Sequence, residues 1–129
     1  MKLIRMLAVA LLFGLSLVST NALAAGKDYT EADFNKTLES GAAVVLDFHA
    51  SWCPICRAQA KAFETLLKEE KLSGITVYKV DFDNSDDLKK KYGVMKQSTL
   101  ILFKDKKEID RNMGVTDIDE LRAFFSKGL

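Results

Sequence analysis

Apolar and polar positions along the chain follow two periods, and the switches between them mark the elements. Thr30-Glu31-Ala32-Asp33 has the form of a helix N-cap with an acid three residues on. Phe34 and Leu38 lie four apart on one face of the helix that follows, and Gly41 fits the position just past its end. The stretch 42–49 contains Val44-Val45-Leu46-Asp47-Phe48, a near-continuous apolar run that suits a strand buried on both faces of a parallel sheet. Pro54 suits the first turn of a helix, where its missing N–H is not needed. That helix is predicted to reach about Lys71, with Ala62, Phe63, Leu66 and Leu67 as its apolar stripe, until Ser73-Gly74 breaks it. A second strand covers 75–82. Asn84 or Ser85 caps a short helix through Tyr92, which Gly93 ends. A third strand covers 99–103, and the polar turn Asp105-Lys106-Lys107 leads into a fourth at 108–113. Thr116-Asp117-Ile118-Asp119 repeats the cap pattern before a helix with Leu121, Phe124 and Phe125 on its apolar face.

The order is α-β-α-β-α-β-β-α. A strand–helix–strand unit makes a right-handed crossover between parallel strands. The hairpin at Asp105 adds an antiparallel pair. The fold class is therefore α/β, with a mixed four- or five-stranded sheet flanked by helices.

The N-terminus follows a different logic. Met1-Lys2-Leu3-Ile4-Arg5 is a positive start, residues 6–18 are apolar, and Ala22-Leu23-Ala24 is a small-x-small site. This pattern reads as a signal peptide, residues 1–24, cleaved after Ala24. The apolar run is shorter than the roughly 18–20 residues that span a bilayer. Residues 25–129 are then one domain in a periplasmic or secreted setting, where disulfides persist. The formal charge of +1 becomes −1 without Lys2 and Arg5. Neither value marks a nucleic-acid binder. Two cysteines cannot build a disulfide scaffold, and with the single histidine they supply three metal ligands, one short of a tetrahedral site.

Those cysteines sit in Trp52-Cys53-Pro54-Ile55-Cys56, after a buried strand and at the start of a helix. The partial positive charge of a helix N-terminus stabilises a thiolate, so Cys53 is the expected nucleophile. Cys56 lies one turn on and can resolve a mixed disulfide. A purely structural disulfide across so short a loop would constrain little. No cofactor beyond a redox-active Cys53–Cys56 disulfide is expected.

The chain resembles the thioredoxin family from residue 28 to its end. The likeness rests on Val45-Leu46-Asp47-Phe48 leading into Ala50-Ser51-Trp52-Cys53-x-x-Cys56. It continues through Val80-Asp81, Asp83-Asn84, Lys91-Tyr92-Gly93-Val94, Thr99-Leu100-Ile101-Leu102-Phe103-Lys104 and Gly114. The resemblance implies the thioredoxin fold and dithiol–disulfide exchange with protein thiols and disulfides. It implies that Asp47 is the buried carboxylate that takes the proton of the resolving cysteine, and that Lys79 is its neighbour. An acid inside an apolar strand is expensive to bury ionised, so its pKa should rise. Trp52, Pro54, Ile55, Gln97, Ser98 and Thr99 are the expected substrate-binding positions. The expected activity is that of a reductase rather than an oxidase, in a monomer fed by a membrane electron donor.

The resemblance breaks at one place. The family carries a cis-proline before the third strand, and here Met95-Lys96-Gln97-Ser98-Thr99 has Ser98 instead. A cis bond without proline costs about 2.5–4 kcal/mol, so 97–98 is expected to be trans. The family's loop also keeps metals off the thiols. Its change leaves a second function open: a metal or iron–sulfur binding protein using the same cysteines. Lys61 stands where the family's active-site helix has a kinking proline, which predicts a straighter helix. His49 is either a packing residue or, in cationic form, a group that lowers the pKa of Cys53.

Overall fold

The computed structural model describes residues 26–129. The signal peptide assigned to residues 1–24, and Ala25 after it, lie outside that range. The elements in chain order are β1 (Lys27–Asp28), α1 (Glu31–Glu39), β2 (Val44–His49), α2 (Pro54–Leu66) and β3 (Thr76–Asp81). A single 3-10 turn follows over Phe82–Asn84, then α3 (Asp86–Tyr92), β4 (Thr99–Lys104), β5 (Lys107–Met113) and α4 (Ile118–Ser126). The five strands form one sheet in the order β1-β3-β2-β4-β5. β3 runs parallel to both β1 and β2, while β4 is antiparallel to β2 and to β5. Among the described residues no helix is long and apolar enough to cross a membrane.

β1 is the strand that the apolar pattern does not reveal. It is two polar residues on an edge, held by its backbone to Tyr78 and Lys79. Two boundaries and one cap bond also differ from expectation. α2 stops at Leu66, five residues before Lys71. Past that point Lys68-Glu69-Glu70-Lys71 offers no apolar side chain to the sheet. The chain closes into i+3 turns that bury Leu72 and release Glu69 to pair with Arg122 on α4 at 2.9 Å. α3 begins after Ser85, but neither candidate side chain caps it: the Asn84 amide donates to Asp81. α4 is capped by Asp117, not Thr116, through bonds to the N–H groups of Asp119 and Glu120. Thr30 caps α1 as its sequence predicts, accepting from Asp33 N–H at 3.1 Å.

The sheet separates two cores. Val45, Val77, Leu100 and Leu102 face α2 and α4, where Phe63 meets Phe125 edge to face at 5.3 Å. Val44, Leu46, Phe48, Ile101 and Phe103 face the other way, toward Phe34 and Tyr78. Side chains alternate along a strand. Asp47 and His49 therefore share the face of Val45, beneath α2. The register places Lys79 beside Asp47, and Asp81 beside His49. The α/β fold thus delivers a carboxyl group, an imidazole and a lysine to the same end of the sheet as the cysteine pair.

Candidate active site

Cys53 is the N-cap of α2, in extended conformation, with Pro54 in the first turn. Its sulfur accepts the Cys56 N–H at 3.2 Å. The helix N-terminus has spare N–H groups, and here a sulfur takes one of them. Both cysteines are free thiols, 2% and 0% exposed. Desolvation pushes the Cys53 thiol up. Hydrogen bonds from the Cys56 side chain, Ser98 and the N–H groups of Cys56 and Ile55 together outweigh it and bring its pKa down to about 7. Cys56 moves the other way, raised by burial and then by the neighbouring Cys53. The two sulfurs are therefore unequal in the way that an attacking and a resolving thiol require.

Ser98 lies against both. Its Oγ is 3.3 Å from Cys53 Sγ and 3.2 Å from Cys56 Sγ, and the residue is buried. Among the described residues no peptide bond is cis, so 97–98 is trans as expected. The loop achieves its shape another way: Ser98 has φ of +66°, a left-handed conformation uncommon outside glycine. Three bonds hold it there. Its N–H donates to Phe48 O at 2.8 Å, and its carbonyl accepts from Gly114 N–H at 3.0 Å and from the Gln59 amide at 3.3 Å.

Gln59 is a residue that the sequence pattern did not single out. It is fully buried on α2 and also donates to Val115 O at 3.0 Å. Its place one turn beyond Cys56 and one before Phe63 is the signal that could have found it. Asp83, one of the residues that carry the resemblance, also takes a role that the sequence did not assign. Its Oδ2 accepts from Trp52 Nε1 at 2.8 Å, which ties the segment before Cys53 to the turn after β3. Phe82, on that same turn, packs against Ala50, Cys53 and Cys56.

Asp47 is 1% exposed and its Oδ1 has no hydrogen-bond partner. Burial raises its pKa to about 7; Lys79 pulls it down and Cys53 pushes it up. Lys79 neighbours Asp47 in the register, yet its ammonium sits 3.3 Å from Asp28 on the outer strand. It acts on Asp47 through charge, with the direct contact made elsewhere. His49 Nδ1 is 4.0 Å from Asp47 Oδ2. Burial and then Lys79 lower the His49 pKa, against a smaller opposite pull from Asp81. His49 is thus neutral at pH 7, and it neighbours the carboxyl instead of acting as a cation on Cys53. It opens onto a cavity of about 470 Å³ lined by Asp28, Tyr29, Lys79 and Asp81 among others.

Of the expected substrate-binding positions, Trp52, Pro54 and Ile55 are exposed at the rim of the cysteine pair. Gln97 is half-buried. Thr99 is buried, and its hydroxyl donates to Lys96 O at 2.7 Å. Among the described residues no group of three or more His, Cys, Asp or Glu is placed to hold a metal.

A family model described as thioredoxin matches residues 26–127. The chain belongs to the thioredoxin family. It is 39% identical over 98 residues to a thioredoxin of Chlamydia trachomatis, covering 76% of this chain and 93% of that protein. A thioredoxin of Staphylococcus aureus is 35% identical over 100 residues, covering 78% and 94%. Among solved structures, Trxlp from Edwardsiella tarda superposes with a TM-score of 0.74 at 34% identity, covering 76% of this chain and 95% of that one. Fasciola hepatica thioredoxin gives a TM-score of 0.66 at 34% identity, covering 76% and 93%. The fold is the thioredoxin fold with a five-stranded mixed sheet, and the activity is thiol–disulfide oxidoreduction at a Cys-x-x-Cys pair. Thioredoxins act on protein disulfides.

Proposed function

We propose that this thioredoxin is a protein disulfide reductase working in the periplasm or outside the cell. The observation that carries the reductase reading is the pairing of the two thiols with a buried acid. Cys53 ionises near pH 7, Cys56 stays protonated, and Asp47 titrates near 7 on the same face of the sheet. Cys53 thiolate attacks a substrate disulfide: a Cys53–substrate bond forms and the first substrate thiolate leaves. Cys56 then gives its proton to the Asp47 carboxylate and attacks Cys53, which releases the second substrate thiolate and closes the Cys53–Cys56 disulfide. Two electrons pass from the protein to the substrate. A carboxyl with a pKa near the working pH suits that proton transfer. Trp52, Pro54 and Ile55 form the exposed rim where substrate docks, beside half-buried Gln97 and above buried Ser98 and Thr99, and Lys79 adjusts Asp47. Export is supported by residues 1–24, whose pattern is that of a cleaved signal. A reductase in that setting needs an electron source across the membrane.

The test is the reduction potential of the Cys53–Cys56 couple, combined with capture of partners on Cys56→Ser. A potential near about −270 mV supports a reductase, and one near about −120 mV overturns it in favour of an oxidase. Cys56→Ser should hold partners as mixed disulfides on Cys53, and an empty trap would count against exchange with proteins. Iron and zinc measured per chain after aerobic and anaerobic purification decides the metal-binding alternative.

A further inference from the structure

A hydroxyl in van der Waals reach of both sulfurs has no assigned task in the exchange reaction. Ser98 Oγ stands 3.3 Å from Cys53 Sγ and 3.2 Å from Cys56 Sγ, buried from solvent. No other side-chain hydrogen bond to either sulfur is made by a residue outside the Cys-x-x-Cys pair among the described residues. We propose that the Ser98 hydroxyl is a catalytic group, donating its one proton first to the Cys53 thiolate and then to the Cys56 thiolate. The proposal rests on exchange at these two cysteines and not on its direction.

A hydroxyl has one proton to donate and two lone pairs to accept with. In the reduced protein Cys53 is the sulfur that ionises first. The hydroxyl then donates to Cys53, beside the Cys56 S–H, which donates to the same sulfur. Once Cys53 is bonded to substrate it carries no charge, and its claim on the proton is gone. The hydroxyl can rotate by its C–O bond and donate to Cys56 as that sulfur loses its own proton to Asp47. The Ser98 proton is never transferred. It moves between two hydrogen bonds, each time toward the sulfur that holds negative charge. Buried donors aimed at developing charge are effective because no solvent must reorganise around them.

The backbone shows that this placement is imposed. Ser98 is held at φ of +66° by bonds to Phe48 O, Gly114 N–H and the Gln59 amide. Left-handed serine is disfavoured and persists only where its surroundings over-determine it, a pattern that clusters at working sites. Glycine would meet the same backbone requirement with less strain. What serine adds over glycine here is the hydroxyl.

The test compares wild type with Ser98→Gly and Ser98→Ala. Both variants lack the hydroxyl. Glycine relaxes the backbone and alanine keeps its strain, so their stabilities separate while their chemistry should not. The rate of Cys53 alkylation by iodoacetamide is followed from pH 5 to 10 on the reduced proteins, with the modified cysteine located by mass spectrometry. Asp47 on β2, with His49 and Lys79 around it, also faces this site, and all three are unchanged across the set. Loss of a hydrogen bond to a thiolate should raise the Cys53 pKa by about one unit in both variants. A higher-pKa thiolate is scarcer but intrinsically more reactive, so alkylation should be roughly threefold slower at pH 6 and roughly threefold faster at pH 9.5. That crossing of the profiles is not produced by a loosened loop. Variant profiles that overlay wild type overturn the proposal. A change in Ser98→Ala alone also overturns it, because it would assign the effect to the backbone. Disulfide reduction by the wild-type protein is measured in parallel. Its absence would instead count against exchange at these cysteines.

Discussion

Asp47 should make the protein's stability respond to pH in a direction opposite to the usual carboxylate, and replacing it by asparagine should remove that response. Paired acids ordinarily have depressed pKa values, and folding then weakens as they are protonated. Asp47 makes no close ion pair: the Lys79 ammonium is on Asp28, His49, whose pKa burial lowers, is 4.0 Å away, and Oδ1 is unbonded. Burial wins over the attraction of Lys79 and lifts the pKa from 3.8 to about 7. Between those values the folded state keeps a proton that the unfolded state gives up. Stability therefore falls as pH rises from about 4 to 7, and the loss is complete above the folded pKa. The gap corresponds to about 4 kcal/mol at 1.36 kcal/mol per pK step. That is a large share of the roughly 5–15 kcal/mol that holds an ordinary domain together.

Asp47→Asn removes the titration and keeps the shape. The assay is urea unfolding of the reduced wild type and variant at intervals from pH 4 to 9. Other groups, Cys53 among them, titrate in both proteins, so the informative quantity is the difference between the two curves. That difference should favour the variant progressively from pH 4 to 7, by up to about 4 kcal/mol, and level off above. A difference independent of pH would refute the reasoning. It would mean that Asp47 is ionised in the fold at pH 5, and that its surroundings compensate a buried charge in a way the geometry does not reveal.

Two further outcomes follow from the same contacts. Lys79→Ala removes the charge that pulls the Asp47 pKa down, so the pH range over which wild type and Asp47→Asn diverge should move upward in the Lys79→Ala background; a range that stays in place would show that Lys79 is spent entirely on Asp28. Gln59→Leu fills the same buried site but leaves Val115 O without its donor and Ser98 O with one fewer, and should cost about 1–2 kcal/mol in urea unfolding. A variant as stable as wild type would show that the orphaned Gln59 Oε1 offsets both bonds.

The parts of the fold written in local pattern were legible in the sequence. A run of apolar residues from Val44 to Phe48 with one acid in it defines a central strand and, by alternation, the face the acid must occupy. Cys53 and Pro54 mark a helix start because one needs the spare N–H groups and the other needs none. What stayed hidden depends on contacts between distant segments. β1 is Lys27 and Asp28 paired through the backbone alone, with no apolar side chain to announce it. The end of α2 depends on Leu72 folding back and on Glu69 meeting Arg122, fifty-three residues away. Gln59 looks like a solvated position between Arg57 and Lys61, and only its spacing from Cys56 and Phe63 places it inside.

The loop before β4 combines both cases. The missing proline is visible in the sequence, and it correctly predicts a trans bond. The sequence could not say what replaces the constraint. Proline has no N–H and fixes φ near −65°. Ser98 uses its N–H on Phe48 O at 2.8 Å and has φ of +66°. Neither feature is open to proline, so the serine is not a proline loop with one atom group exchanged. It is a different solution, in which backbone hydrogen bonds to β2, to Gly114 and to Gln59 on α2 supply the rigidity that a ring would have given. The change frees the side chain at this position to be polar. Because the loop lies across the cysteine pair, that polar atom is placed on the two sulfurs. The departure from the family pattern therefore leaves the fold intact and sets a hydroxyl against the two sulfurs at the point where the loop meets them.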